Sequence, residues 1–205
     1  MSRYTGPRAR ISRRLNTNIF GTRGEARALE QRPYPPGVHG RSRRRGGSGS
    51  EYLLRLQEKQ KARFMYGLTE RQFVRVYKEA SRRKGVTGEN MLQFLELRLD
   101  NVVYRSGWAL TRPQARQFVS HGHLKVNGKR VNIPSYRVRK GDVVELAEKT
   151  RENSQVQWNV TTESRTPPAW LEAEEQFKVK VYSEPIREQI DVPVREQLIV
   201  ELYSR

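Results

Sequence analysis

The sequence predicts an α+β protein in which helices are followed by a small antiparallel sheet and a basic arm precedes both. Three observations support this prediction. Apolar residues recur at helical spacing between residues 51 and 103, and an Asn-Gly dipeptide separates two short strand-like runs after residue 122. The first 50 residues, by contrast, are rich in Arg, Gly, Pro and Ser and poor in aliphatic side chains. The fold class follows from where each kind of pattern lies along the chain.

The net charge is strongly positive and unevenly distributed. The 205 residues include 40 Lys and Arg against 22 Asp and Glu, a formal net charge of +18. A charge of this size opposes compaction unless an anionic partner neutralises it; nucleic acid is the commonest such partner and an anionic membrane the second. Residues 1–50 carry +10, whereas residues 151–205 carry −3. We therefore expect the N-terminal two-thirds to face a polyanion, and the acidic last quarter to face solvent or a basic protein.

Several function classes are disfavoured by what the sequence lacks. No apolar run approaches the roughly 18–20 residues that cross a bilayer, and no signal peptide is expected. The chain has no cysteine and only three histidines, His39, His121 and His123, so we expect no metal and no cofactor. The GxSxG, P-loop and HExxH motifs are absent, and Asp100 is better explained as the ion-pair partner of nearby arginines than as a catalytic carboxylate. We therefore expect neither an enzyme nor a small-molecule substrate.

Residues 1–50 are predicted to form an extended basic N-terminal arm. Segment 32–40 is rich in Pro and Gly and favours turns, and segment 46–50 has the composition of a flexible joint. Because so little apolar surface is present, the arm is not expected to fold alone, and a disordered tail is one alternative. We favour an arm that becomes ordered on RNA, because arginine supplies every basic side chain here and guanidinium groups bind phosphate in a bidentate manner.

Helices are predicted from residue 51 to residue 103. Thr69 and Gln72 have the spacing of a capping box, and the apolar residues behind them recur at i, i+3, i+4 and i+7, the period of an amphipathic helix. Gly85 is expected to end that helix. A single third helix is predicted for residues 88–103, with one apolar stripe made of Leu92, Leu95 and Leu99.

A short helix and two strand pairs are predicted next. Thr111 and Gln114 suggest a second capping box, and Gly122 is expected to end the helix. Asn127-Gly128 predicts a type I′ turn, which joins strands 123–126 and 129–133 into a hairpin. A second strand pair is predicted between residues 136–138 and 143–146. Beyond residue 150, segment 177–182 alternates like a strand, and segment 193–203 fits either a helix or a strand. Pro193 favours the helix.

The basic residues around this short helix suggest an RNA-binding surface. Arg112 and Arg116 lie one helical turn apart, and basic residues continue through the hairpin. Nothing resembles a helix-turn-helix dimer or a zinc finger, whereas structured RNA is recognised largely by its shape, phosphates and 2′-hydroxyls. An alternative remains open for the two arginines, because they are also placed to pair with Asp100 or Glu96 and so to stabilise the fold from within.

Six segments resemble the bacterial small-subunit ribosomal protein four family. They are RYTGPRARISRRLN from Arg3, YPPGVHG from Tyr34, EKQKARFMYGLTERQF from Glu58, RLDNVVYRSGWALTRPQARQFVSHGH from Arg98, VNGKRVNIPSYRV from Val126 and QLIVELYSR from Gln197. The segment around residues 95–155 resembles the small RNA-binding module named after this family. Residues 150–190 match least.

The resemblance implies a domain arrangement. Residues 1–50 would form the arm, and residues 51–94 a helical domain completed by residues 190–205. Residues 95–155 would form an inserted RNA-binding module of short helices and a small antiparallel sheet, extended by residues 156–189. Some family members carry a zinc-binding cysteine cluster in the arm, but this chain has no cysteine, so zinc is not expected here.

The resemblance also implies a function. It implies a structural component of the small ribosomal subunit that binds the 5′ domain of small-subunit rRNA, nucleates assembly and influences translational accuracy. Expected neighbours are small-subunit protein five and mRNA near its entry path. The ribosome would be cytoplasmic, with an organellar ribosome as the open alternative. An RNA-modifying enzyme with the same module would need a separate catalytic domain, for which the chain is too short. A membrane-surface protein would need a large Trp/Phe/Leu helix face, which is missing.

The candidate RNA-binding residues come from the arm, the first helices and the module. They are Arg3, Arg8, Arg10, Arg13, Arg14, Arg41, Arg43, Arg44, Arg45, Arg55, Lys59, Lys61, Arg63, Arg71, Arg112, Arg116, His121, His123, Lys125, Lys129 and Arg130.

Overall fold

The computed structural model describes residues 4–40, 50–162 and 166–204. These residues form ten α-helices and five strands: α1 Arg8–Leu15, α2 Arg23–Gln31, α3 Glu51–Met65, α4 Glu70–Arg82, α5 Thr87–Glu96, α6 Leu99–Arg105, α7 Arg112–Ser120, β1 Leu124–Val126, β2 Lys129–Arg130, β3 Val143–Leu146, α8 Glu148–Arg151, α9 Ser154–Thr162, β4 Leu171–Glu175, β5 Lys178–Val181 and α10 Glu196–Tyr203. Short 3-10 turns lie at Val38–Gly40 and Arg187–Gln189. A mixed helical and antiparallel architecture is thus present, as the sequence predicts.

The chain divides into two compact units. The helical unit contains Met1–Lys78 and Pro193–Arg205, and the sheet unit contains Glu79–Val192. The C-terminal segment therefore belongs to the same unit as the first helices. The sheet unit begins at Glu79, whereas the module predicted from the sequence begins at residue 95.

The N-terminal segment contains two helices where the sequence predicted an extended arm. Ile11, Leu15 and Ile19 are buried, so the few aliphatic residues of this segment are enough to form a small apolar contact. Thr22 caps α2 through a reciprocal capping box with Glu25, and the Glu25 carboxylate also accepts a hydrogen bond of 2.6 Å from the Ser12 hydroxyl. The prediction overlooked this local capping chemistry. The proposed joint at residues 46–50 lies outside the described residues, except for Ser50.

Helices α3 and α10, with α4 as far as Lys78, form the rest of the helical unit. Ser50 caps α3, and Thr69 and Gln72 form the predicted capping box of α4, with N···O distances of 3.2 and 3.4 Å. The helical alternative for segment 193–203 is confirmed by α10. The backbone N–H of Arg195 donates to Glu58 on α3, and the Tyr203 hydroxyl donates to Glu70 on α4.

Five antiparallel strands form the sheet in the order β2-β1-β3-β5-β4. The predicted hairpin is confirmed: Val126 pairs with Lys129, and Asn127 and Gly128 have φ angles of 51° and 78°. Strand β5 confirms the strand predicted near residues 177–182. The sheet covers a core that includes Trp108, Trp170 and Leu146.

The predicted pairing of residues 136–138 with 143–146 is wrong. Strand β3 pairs instead with β1 and β5. The backbone of 136–138 is engaged elsewhere, since Tyr136 O accepts from Leu99 N and Val138 N donates to Leu97 O. An isolated bridge between Arg98 and Arg137 lies between these two hydrogen bonds.

The same contacts correct the single helix predicted for residues 88–103. The structure has two helices there, α5 and α6, separated by Leu97 and Arg98. Arg98 is extended, with a ψ angle of 138°, because its neighbours hydrogen-bond to segment 136–138. The predicted apolar stripe is nevertheless fully buried on both helices. A distant segment therefore breaks the helix at a position that the leucine spacing alone does not mark.

Candidate nucleic-acid interface

Helix α7 sets the geometry of the predicted RNA surface. The Thr111 hydroxyl accepts a hydrogen bond from Gln114 N, at 3.4 Å, and so caps the helix. The Gln114 side chain accepts from Leu110 N rather than from Thr111 N, so the predicted capping box is only half formed. At the other end, Gly122 has a φ angle of 72° and terminates the helix as predicted.

Arg116 points into the sheet unit and pairs with Asp100. Its Nη1 lies 2.9 Å from Asp100 Oδ2, and Arg98 donates two further hydrogen bonds to the same carboxylate. Arg116 is 9% exposed and Asp100 6%. This arrangement corresponds to the internal pairing that the sequence left open. It also explains Asp100 as a structural carboxylate, because a buried charge requires paired and hydrogen-bonded neighbours.

Arg112 has a different environment from Arg116. Its Nε donates to Asn101 Oδ1 at 2.9 Å, and its guanidinium lies 4.3 Å from the centre of the Tyr104 ring. The Asn101 amide in turn donates to the fully buried carboxylate of Glu96, which Arg105 binds with two hydrogen bonds of 2.8 and 2.9 Å. Arg112 is therefore half-buried and held in a defined plane.

His121, His123 and Arg130 gather where α7 ends, and we call them the exit cluster. The two histidine rings are 6.0 Å apart. The Arg130 guanidinium donates to the carbonyls of Gly122 and His121, at 2.9 and 3.1 Å. A side chain at Gly122 would require this guanidinium to move, and the positive φ angle of Gly122 favours glycine there. The hairpin thereby brings Arg130 beside the histidines.

The pKa of His123 is lowered in this environment. Burial is the main cause, and the neighbouring charges of His121 and Arg130 add to it. The ring makes two packing contacts: its Nδ1 lies 2.9 Å from the Thr150 hydroxyl, and Phe118 meets it edge-on. His123 is thus held in one place and is favoured in its neutral form.

The remaining predicted residues of the sheet unit lie on β1 and at the hairpin turn. Lys125 is half-buried, and its Nζ is 3.8 Å from the Glu148 carboxylate. Lys129 and Arg130 are exposed and directly follow the turn. The structure therefore brings together the exit cluster and the hairpin, on which Lys125 and Lys129 lie, and it directs Arg116 inward.

The predicted residues of the N-terminal segment are placed differently from one another. Arg10 and Arg14 are exposed and one turn apart on α1, and Arg8 is also exposed, with its guanidinium over the Phe20 ring. Arg13 is half-buried and donates to the carbonyls of Arg32 and Tyr34. Five predicted residues lie outside the described residues: Arg3, Arg41, Arg43, Arg44 and Arg45.

The four predicted residues of α3 are all engaged in ion pairs. Arg55 pairs with Glu51 and Glu201, Lys59 and Arg63 with Glu70, and Lys61 with Glu58. Lys59 is 7% exposed. Arg55, Lys59 and Arg63 tie α3 to α10 and α4, whereas Lys61 pairs within α3. The positive charge of all four is largely compensated at short range.

Exposed arginines outside the predicted set lie near members of that set. Arg71 was selected, but Arg75 lies one turn further along α4 and is equally exposed. Arg23 and Arg27 form a similar exposed pair on α2. The i, i+4 spacing is the signal that could have identified both pairs, because it places two residues on one helix face.

Comparison with known proteins adds two family matches. Residues 3–96 match the model described as ribosomal protein S4/S9 N-terminal domain, and residues 97–144 match the S4 domain. Proteins named small ribosomal subunit protein uS4 are similar over the full length of both chains. That of a Nocardioides species is 56% identical, and those of Nocardia farcinica and Dictyoglomus turgidum are each 55% identical.

Fold and comparisons together define the class, a ribosomal protein with an RNA-binding S4 domain and no enzymatic role. The chain belongs to the ribosomal protein S4 family. Its place is the small ribosomal subunit, among rRNA and other ribosomal proteins. Among the described residues, no helix has the length and apolarity needed to cross a membrane, and no three potential ligand side chains cluster around a metal-sized space.

Proposed function

We propose that the chain binds small-subunit rRNA directly, through the exit cluster, Arg112 and the exposed hairpin residues of the sheet unit. The observation that carries this proposal is the convergence of His121, His123 and Arg130 at the end of α7. The end of α7 and the hairpin hold these groups in place before RNA binds. Preorganised donors of this kind suit phosphate oxygens, which contribute a large share of the affinity in protein–nucleic acid complexes.

Arg112 and Arg116 play different roles in this proposal. Arg112 is held by Asn101 on one side of its guanidinium and stacks on Tyr104. A guanidinium fixed in one plane offers phosphate a preorganised fork at little entropic cost. The guanidinium of Arg116 is paired with the Asp100 carboxylate. We therefore propose that Arg116 positions α7 and does not contact RNA.

The helical unit supplies a second set of contacts. Exposed arginine pairs on α1 and α4, Arg10 with Arg14 and Arg71 with Arg75, support this part of the proposal. Five arm residues outside the described part of the chain also belong to the proposal, and only the sequence supports them: Arg3, Arg41, Arg43, Arg44 and Arg45. We regard Arg55, Lys59, Lys61 and Arg63 as weaker contributors, because nearby carboxylates already compensate their charges.

The finer biological role follows the family resemblance. We infer that the chain binds the 5′ domain of the rRNA, nucleates assembly of the subunit and influences translational accuracy. Small-subunit protein five and mRNA near its entry path are the proposed neighbours, on a bacterial or organellar ribosome. The exposed carboxylates of β4, Glu172, Glu174 and Glu175, support a basic protein rather than RNA at that strand.

A binding titration with a 5′-domain rRNA fragment tests the proposal. If roughly ten phosphates are neutralised, log K against log salt should have a slope of magnitude roughly 7–9. Lys129→Ala should reduce that magnitude by about one. The matched control is Lys84→Ala, which removes an exposed lysine of the same unit from the turn after α4. A slope near zero, or equal losses in the two variants, would overturn the proposed surface.

A further inference from the structure

The charge state of His123 is the feature of the exit cluster that RNA binding would change. In the free protein, burial, His121 and Arg130 all disfavour its cationic form. We propose that binding of an RNA phosphate at the exit cluster is accompanied by the uptake of a proton from solvent. His123 carries this proton in the complex. The inference rests on the proposed function, because it requires an RNA phosphate at this cluster.

The neighbours of His123 leave it able to accept the proton. Its Nδ1 contacts the hydroxyl of Thr150, at 2.9 Å, and Thr150 is only 3% exposed. A hydroxyl can donate to a neutral ring nitrogen or accept from a protonated one by rotating about its C–O bond. Thr150 therefore keeps its hydrogen bond in both charge states. A fixed donor such as a backbone N–H would lose its hydrogen bond when the ring became charged.

The charged groups around His123 explain why a bound phosphate would determine the protonation state of its imidazole. His121 precedes it on the α7 exit, and Arg130 approaches from β2. On the α8 side the ring meets neutral Thr150, and the carboxylate of Glu148 on that helix pairs with Lys125. The surroundings of the ring thus disfavour its cationic form until a phosphate binds. A negative charge within about 4–6 Å favours the protonated imidazole.

The expected consequence is a dependence of RNA affinity on pH. Protons are taken up from solvent wherever the pH lies between the free and the bound pKa of His123. In that range affinity falls as pH rises, by up to about tenfold per pH unit for one proton. Below the free pKa and above the bound pKa the dependence on His123 disappears. Because the free pKa of His123 lies below the unperturbed histidine value near 6.5 and a bound phosphate would raise it, we expect the effect to begin below pH 6.5.

Calorimetry measures the proton directly. The wild-type protein is titrated with the 5′-domain rRNA fragment at pH 6.5 in two buffers of different ionisation enthalpy, and the difference in binding enthalpy gives the number of protons taken up. We expect uptake of a substantial fraction of one proton. His123→Gln should abolish it, whereas His39→Gln, in the helical unit, should retain it. Uptake that persists in His123→Gln would belong to another group, such as an RNA base, and would refute the assignment to His123.

The outcomes are distinguishable. No RNA binding at any pH would refute the proposed function. Binding without proton uptake anywhere between about pH 5 and 8, the range in which histidines change charge, would refute this inference alone. Loss of proton uptake in His121→Gln but not in His123→Gln would place the proton on His121 and would also refute the inference. If His123→Gln does not fold, NMR titration of the wild-type imidazole C–H resonances, free and bound, decides the question. The His123 resonance must then titrate at higher pH in the complex.

Discussion

Arg116 and Asp100 form a buried ion pair at 2.9 Å, between Nη1 of the arginine and Oδ2 of the carboxylate. Arg98 binds the same carboxylate at 2.9 and 3.1 Å, so two guanidinium groups share one negative charge. This triad fixes α7 against the start of α6. The triad also places Arg116 in the interior. Helical spacing alone would put Arg116 beside Arg112, on a surface available to RNA.

Arg116→Ala should therefore destabilise the free protein more than it weakens RNA binding. The variant loses a charge-assisted hydrogen bond, which contributes about 1.5–3 kcal/mol to the free energy of unfolding, while Arg98 still neutralises Asp100. Urea unfolding of the free protein measures the loss, and affinity for rRNA is measured where the variant remains folded. An unchanged unfolding midpoint with a large loss of affinity would mean that Arg116 contacts RNA.

Arg112→Ala should show the opposite pattern. Loss of a charge-assisted phosphate contact should cost about 1.5–3 kcal/mol, or about ten- to a hundredfold in affinity, and reduce the salt slope by about one. Arg112→Lys is the informative comparison. It keeps the charge, and therefore the slope, but loses the planar fork held by Asn101 and Tyr104. Equal affinity for Arg112→Lys and the wild type would contradict a role for the fixed guanidinium plane.

Stability in acid should depend on Glu79. Hydrogen bonds from Arg137 hold the pKa of Glu79 below its ordinary value of 4.5, and burial opposes that shift. Because the folded-state pKa is the lower one, this stabilisation is complete above about pH 4.5 and is lost as pH falls through the folded pKa. Glu79→Gln should therefore flatten the decline of the thermal midpoint below pH 4.5. Glu89→Gln, an exposed carboxylate of the same unit, should leave that decline in place.

The contacts of Tyr203 should stabilise the helical unit. Its hydroxyl donates to Glu70 at 2.8 Å, and its ring lies 4.7 Å from that of Tyr77. Burial and the Glu70 carboxylate raise the pKa of Tyr203, so it remains a hydrogen-bond donor throughout the physiological range. Tyr203→Phe should cost about 1 kcal/mol, and Tyr203→Ala about 3 kcal/mol. Hydrogen exchange of α3 and α4 amides should accelerate in the same order, and equal effects would exclude a packing role for the ring.

Elements with local chemical signals could be predicted from the sequence alone. Asn127-Gly128 specifies its turn because both residues readily adopt positive φ, and Thr69 with Gln72 specifies a helix start through side-chain hydrogen bonds within four residues. The clustering of basic residues along α7 and the hairpin likewise indicated an RNA partner. The family resemblance added the role on the ribosome, which composition and spacing could not specify.

Tertiary structure decided the features that depend on distant residues. The break between α5 and α6 exists because segment 136–138 hydrogen-bonds to Leu97 and Leu99, nearly forty positions along the chain. Arg116 faces inward because Asp100 and Arg98 lie there to receive it, although helical spacing places it on the same face as Arg112. Helical periodicity shows which residues share a face, but only tertiary packing determines what that face contacts. An arginine can be buried only where an opposite charge is already held in place to pair with it.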